Sequence, residues 1–120
     1  MSGALVDTHC HLQLDDYKDD LYDVLKRARE VNVVRMIVVG FNLQTSRLAV
    51  EMASRFEGIY ATVGVHPHDA KRFTERRIEE LRELARSEKV VAIGEIGLDY
   101  YRNLSPKEKQ RYAFERQLEL

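Results

Sequence analysis

The chain has a single cysteine, no apolar stretch near membrane-spanning length and almost no net charge. The lone Cys10 excludes an internal disulfide, which fits a reducing compartment. No run approaches the roughly 20 apolar residues of a membrane helix, and the N-terminus lacks the basic start and apolar run of a secretory signal. With 19 basic and 20 acidic residues the formal charge is −1. No overall positive field gathers a polyanion, so binding of nucleic acid would have to come from a local site or from bound metal. These absences predict a soluble cytoplasmic protein with no membrane partner.

What is present is ordinary globular material. At 44% hydrophobic and 32% charged, the 120 residues are enough to bury a core, and disorder is not expected. We read residues 1–120 as one unit. A short apolar run, Ala4-Leu5-Val6, leads into Asp7-Thr8-His9-Cys10-His11. Side chains two apart on a strand share a face, so His9 and His11 can aim at one point while Cys10 packs on the opposite face. An acidic loop, Leu12 to Tyr17, follows. Leu21, Val24, Leu25, Ala28 and Val31 then recur at helical spacing, predicting a first helix from about Lys18 to about Asn32.

The same alternation repeats. The β-branched run Val33 to Val39, closed by Gly40, predicts a strand covered on both faces. Thr45 or Ser46 is the expected cap of a second helix, with Leu48, Ala49, Met52, Ala53 and Phe56 on one side and Gly58 as the stop. A third strand, Ile59 to Val65, delivers His66-Pro67-His68 into a polar loop. Thr74 is placed to cap a third helix that turns Ile78, Leu81 and Ala85 inward, and Val90 to Ile96 is the fourth strand. Ser105-Pro106-Lys107-Glu108 has the form of a capping box and opens a helix running to Leu120.

Four strand-helix units with nearly continuous apolar strands predict an α/β fold: a parallel sheet with right-handed crossovers. In such folds ligands gather at the carboxyl ends of the strands. His9 and His11 end strand one, His66 and His68 end strand three, and Glu95 ends strand four, so all five fall on one rim.

Imidazoles plus a carboxylate suit zinc or another divalent ion, and the two oxygens of Glu95 allow it to bridge two ions. Asp7 either orients an imidazole or caps the strand-loop junction. At least one of His66 and His68 is expected to serve substrate or metal. Gly94 and Gly97 allow close packing and a turn beside Glu95. Tyr100 and Tyr101 read as rim packing, and a role for Asp99 is left open. Arg72, Arg76, Arg77, Arg82 and Arg86 alternate with Glu75, Glu79, Glu80 and Glu83, the pattern of a solvated helix face rather than a nucleic-acid patch.

Asp7-Thr8-His9-Cys10-His11-Leu12, Gly64-Val65-His66-Pro67-His68 and Gly94-Glu95-Ile96-Gly97-Leu98-Asp99-Tyr100 together resemble the TatD-like metal-dependent deoxyribonucleases, a branch of the amidohydrolase-type TIM barrels. The resemblance implies that His9, His11 and Glu95 bind one or two divalent ions, whether zinc, magnesium or manganese. It also implies that Glu95 and His66 are catalytic, that His66 and His68 meet the substrate, and that water activated by metal cuts phosphodiester bonds in DNA. Barrels of this type hold eight units in about 250 residues. The four units here correspond to the N-terminal half, and the later histidines and aspartate of the family's metal site have no counterpart in these residues.

Four units leave strands one and four as open edges. Two readings follow: the chain is a truncation of a longer protein, or two copies can pair edge to edge, head to tail, as a homodimer or higher oligomer that closes eight strands and brings two half sites together. Two further readings stand beside the nuclease: an amidohydrolase acting on a small ester, amide or lactone, and a non-catalytic half barrel that keeps the ligands without turnover.

Overall fold

The computed structural model describes residues 3–120. Its strands β1 (Leu5–Cys10), β2 (Val33–Val39), β3 (Ile59–Val63) and β4 (Val90–Ile93) alternate with helices α1 (Leu21–Glu30), α2 (Leu43–Arg55), α3 (Glu75–Ala85) and α4 (Lys107–Leu118). The strands form one sheet in the order β1-β2-β3-β4, and every neighbouring pair is parallel. The expected (β/α) repeat is therefore present, with β1 and β4 as the edges.

Alternation along the strands sends Met36 and Val38 of β2, and Ile59 and Ala61 of β3, towards Leu25 of α1 and Ala49 and Ala53 of α2. A second cluster joins Val63 and Val65 to Leu43 of α2, to Ile78 and Leu81 of α3, and to Ala113 of α4. Ile78 and Leu81 are fully buried, and each contributes roughly 1.5–3 kcal/mol of transfer free energy. The first half of β2 departs from the expected two-sided cover, because Val34 and Arg35 are exposed. Leu5, Val6 and Val91 on the edge strands are also about half exposed, at 54%, 51% and 51%.

Helix starts differ from the sequence expectation in instructive ways. The first helix begins at Leu21, because Asp15–Tyr17 forms a separate 3-10 turn. The cap of α2 is Asn42 and not Thr45 or Ser46: Asn42 Oδ1 accepts the Thr45 N–H at 2.8 Å, and Thr45 Oγ1 accepts the Asn42 N–H at 3.0 Å. Thr74 sits at the cap position of α3 without a side-chain bond. At α4 the capping box does not form. The buried Ser105 hydroxyl donates to the His68 carbonyl at 2.8 Å and accepts the Lys71 N–H at 3.0 Å, so Pro106 takes the cap position. Ser105 ties the helix to the loop after β3 instead of to its own first turn.

The strand ends matter most. Sequence placed strand three through Val65 and strand four through Ile96, but ladder pairing stops at Val63 and Ile93. After Ile93 the chain crosses the end of β3. The Gly94 N–H bonds to the Val63 carbonyl at 3.0 Å, and the Glu95 N–H reaches the Gly40 carbonyl, beyond β2, at 2.7 Å. The Gly94–Glu95 peptide is cis. Gly64 makes the crossing possible, since a Cβ there would lie 2.8 Å from the Gly94 carbonyl carbon. Ser46, fully buried on α2, holds Gly64 from the other side by accepting its N–H at 3.1 Å.

Candidate metal centre

His9 and His11 leave the end of β1 on one side, with their Nε2 atoms 3.3 Å apart. Glu95 brings Oε2 to 3.6 Å from His9 Nε2. Among the described residues, His9, His11 and Glu95 form a cluster whose ligand atoms all lie within 4.8 Å of one another. A tetrahedral ion with metal–nitrogen bonds of about 2.0–2.1 Å separates two imidazole ligands by about 3.4 Å, so the histidine pair has the spacing that such an ion requires.

The ring of His11 is held in one orientation. Its Nδ1 lies 2.9 Å from the Val39 carbonyl oxygen. A carbonyl only accepts, so Nδ1 carries the proton and Nε2 presents its lone pair towards His9 and Glu95. The same carbonyl accepts from Gln13 Nε2 at 2.8 Å. Asp7 bonds to backbone and not to an imidazole: its Oδ1 accepts the His9 N–H at 3.1 Å, within β1 and not at the strand-loop junction. Cys10 packs on the far side as expected, with its Sγ 3.4 Å from the Ile37 carbonyl. Burial first, and then the Asp7 charge, push its thiol up to about 11.

Of the second histidine pair, His66 reaches Glu95 from the other side. His66 Nε2 is 3.6 Å from Glu95 Oε1, so the carboxylate faces His9 with one oxygen and His66 with the other. His66 Nδ1 accepts the His68 N–H at 3.0 Å. Burial lowers the His66 pKa, against the opposing pull of Glu95, and favours the neutral ring. A neutral ring with an accepting Nδ1 carries its proton on Nε2 and offers a donor, not a ligand lone pair. The His68 ring stands edge-on to His66 with centroids 4.1 Å apart, and its Nε2 meets Asp99 Oδ2 at 2.5 Å. Asp99 thus gains a definite place. The Arg102 N–H first, and then His68, hold its carboxyl below the usual range.

The tyrosines correct the sequence reading. Tyr101 is 95% exposed, and Tyr100 is partly exposed with the Lys107 ammonium 5.1 Å from its ring centroid, so neither is buried rim packing. The arginines of α3 behave as expected: Arg77 pairs with Glu80 at 2.7 Å, Arg86 with Glu83 at 3.1 Å, and Arg82 with Glu79. Sequence reasoning passed over Gln13, Gln110 and Gln117, which are buried and bonded to backbone around this rim. For the last two a signal exists. Gln110, Ala113 and Gln117 share one face of α4, so the face a helix normally makes apolar carries two amides here.

A four-stranded parallel sheet with imidazoles and a carboxylate gathered beyond its strand ends defines the class: part of an α/β barrel whose carboxyl rim carries a donor set suited to a divalent ion. The TatD related DNase family model matches residues 6–120. The chain belongs to the TatD related DNase family. It is 46% identical over 116 residues to an uncharacterized metal-dependent hydrolase, YabD, of Bacillus subtilis, covering 97% of this chain and 46% of that protein. A 3'-5' ssDNA/RNA exonuclease TatD of Cronobacter sakazakii is 39% identical over 116 residues, with 97% and 44% covered. Among solved structures, the TatD homolog YJJV of Escherichia coli superposes with a TM-score of 0.87 at 30% identity, over 96% of this chain and 45% of that one. A TatD family hydrolase of Entamoeba histolytica gives 0.86 at 29% identity, over 98% and 45%. The chain spans about half the length of the relatives it matches, and the expected correspondence to half a barrel holds.

Proposed function

We propose that His9, His11 and Glu95 hold a divalent ion in a hydrolase that cleaves phosphodiester bonds of DNA. The observation that carries this reading is the convergence of three ligand atoms from β1 and from the crossing after β4 to within 4.8 Å. A divalent ion bound there would lower the pKa of a water and offset charge on a phosphoryl oxygen. The protein's own contribution is orientation. His11 is locked by Val39, so its Nε2 needs no reorganisation. Glu95, a catalytic residue in this reading, divides its oxygens between His9 and His66, which also suits bridging of two ions. His66 directs an Nε2–H towards the same space and can donate to a non-bridging phosphoryl oxygen. His68 forms the adjoining wall of the substrate site, with its outer nitrogen engaged by Asp99.

Two observations favour a nucleic acid over a small ester or lactone. Several relatives, including those of Cronobacter sakazakii and Klebsiella pneumoniae, are named 3'-5' ssDNA/RNA exonucleases. Beyond Asp99 the rim carries Tyr100 and the fully projecting Tyr101, side chains on which unpaired bases stack with little regard to sequence. The test is hydrolysis of labelled single-stranded DNA, beside a carboxylic ester, by the protein carrying this chain. DNA cleavage supported by manganese, magnesium or zinc and abolished by chelator and by Glu95→Ala supports the reading. Ester cleavage without DNA cleavage overturns it.

A further inference from the structure

Helix α4 carries two glutamines about two turns apart, Gln110 and Gln117, each 1% exposed. Each holds both the N–H and the carbonyl of one rim residue with the two ends of its amide, while Nε2 also donates within the α4 region, from Gln117 to the Ala113 carbonyl at 3.1 Å and from Gln110 to the Ser105 carbonyl at 2.8 Å. Gln117 Oε1 accepts the Val65 N–H at 2.7 Å while its Nε2 donates to the Val65 carbonyl at 3.1 Å. Gln110 Oε1 accepts the Asp99 N–H at 2.8 Å while its Nε2 donates to the Asp99 carbonyl at 3.2 Å. A neighbouring strand satisfies a residue in the same reciprocal way in an antiparallel ladder. Val65 lies past the end of β3 and Asp99 past the end of β4, where ladder partners have run out. The glutamines supply what the sheet no longer does.

Both grips lead to His66. Val65 is its chain neighbour. Asp99 holds the His68 ring, and the His68 backbone N–H bonds to His66 Nδ1 at 3.0 Å. A carboxamide of this length offers an acceptor and a donor side by side. Methionine fills similar space and bonds to neither group, leaving a buried N–H and C=O unpaired. We propose that Gln110 and Gln117 are positioning residues that, through Val65 and through Asp99 and His68, hold His66 with its proton on Nε2 and facing Glu95. The proposal rests on the hydrolase reading only for its last step, in which that N–H meets a phosphoryl oxygen.

The test is nuclear magnetic resonance on the whole chain at a pH where His66 is neutral, reading the ring nitrogens for the tautomer and the amides for exchange. In the wild-type chain His66 should show one tautomer, protonated on Nε2. Gln117→Met should accelerate exchange of the Val65 amide about tenfold or more, and Gln110→Met that of Asp99, while Val38 and Ala61 in the core stay protected. In both variants the His66 signals should move to a mixture of tautomers. Asp99→Ala cuts the outer link without entering the core, so it reports even if a glutamine variant fails to fold, and it should give the same mixture. Retention of the pure Nε2–H tautomer in a folded glutamine variant or in Asp99→Ala, or a mixture in the wild-type chain, overturns the proposal. The readout needs no turnover, so a protein inactive on DNA counts against the nuclease reading and not against the glutamine grip.

Discussion

His9 and Glu95 belong to opposite edges of the sheet, yet His9 Nε2 and Glu95 Oε2 are 3.6 Å apart. Across four flat strands the edges would stand about 14 Å apart. The gap closes because the chain after β4 abandons its own edge, crosses the end of β3 and bonds to Gly40 beyond β2. The candidate site depends on that crossing.

Gly64 is a point where the crossing is exposed to change. A methyl group at this position would meet the Gly94 carbonyl carbon at 2.8 Å and the Ile96 side chain at 3.0 Å. Gly64→Ala should cost about 1–3 kcal/mol, the usual range for overpacking, read as a lower urea midpoint. Metal affinity should fall with it, because the backbone that must move is the one carrying Glu95.

Much of this was legible in the residues. Periodicity gave four strand-helix units in the right order, and alternation put Cys10 opposite the two histidines. The motif spacing put His9, His11, His66 and Glu95 on one rim. What stayed hidden has a common cause: it depends on bonds between segments far apart in the chain. The stretch from Val90 to Ile96 reads as strand throughout, and only the approach of Gly64 and Gly40 shows why it stops at Ile93. Ser105 has the form of a cap until the loop after β3 claims its hydroxyl. Tyr100 and Tyr101 are aromatic, and nothing local says that they stand in solvent.

If Tyr101 stacks on a base, Tyr101→Ala should weaken binding of single-stranded DNA without altering stability, since the ring is 95% exposed. Stacking of this kind is worth about 1–3 kcal/mol per base. Fluorescence anisotropy with a labelled oligonucleotide should therefore show a loss of about fivefold or more, with an unchanged melting temperature.

Acid should loosen the junction of α3 and α4. Glu75 accepts from Arg116 at 2.7 Å and from the Tyr112 hydroxyl, and these bonds lower its carboxyl to about 2. The folded value lies below the unfolded one, so the contribution is complete above about pH 4.5 and is lost as pH falls towards about 2. Glu75→Gln should flatten the dependence of stability on pH within that window. Urea melts at a series of acidic pH values check this.

Cys10 should be a poor nucleophile. With its thiol pushed up to about 11, the thiolate fraction near pH 8 is roughly two orders of magnitude below that of a free cysteine. Alkylation of the folded chain should be slower by a similar factor, and unfolding in urea should restore the ordinary rate.

Calorimetric titration of the chain with zinc or manganese tests the central claim most directly. The account expects saturable binding that is lost in His11→Ala and in Glu95→Ala but kept in Cys10→Ala. It also expects a rise in folding stability of about 2.7 kcal/mol when free metal reaches a hundred times its dissociation constant. Binding that survives the loss of both His11 and Glu95, or no binding by a folded wild-type chain, would contradict it.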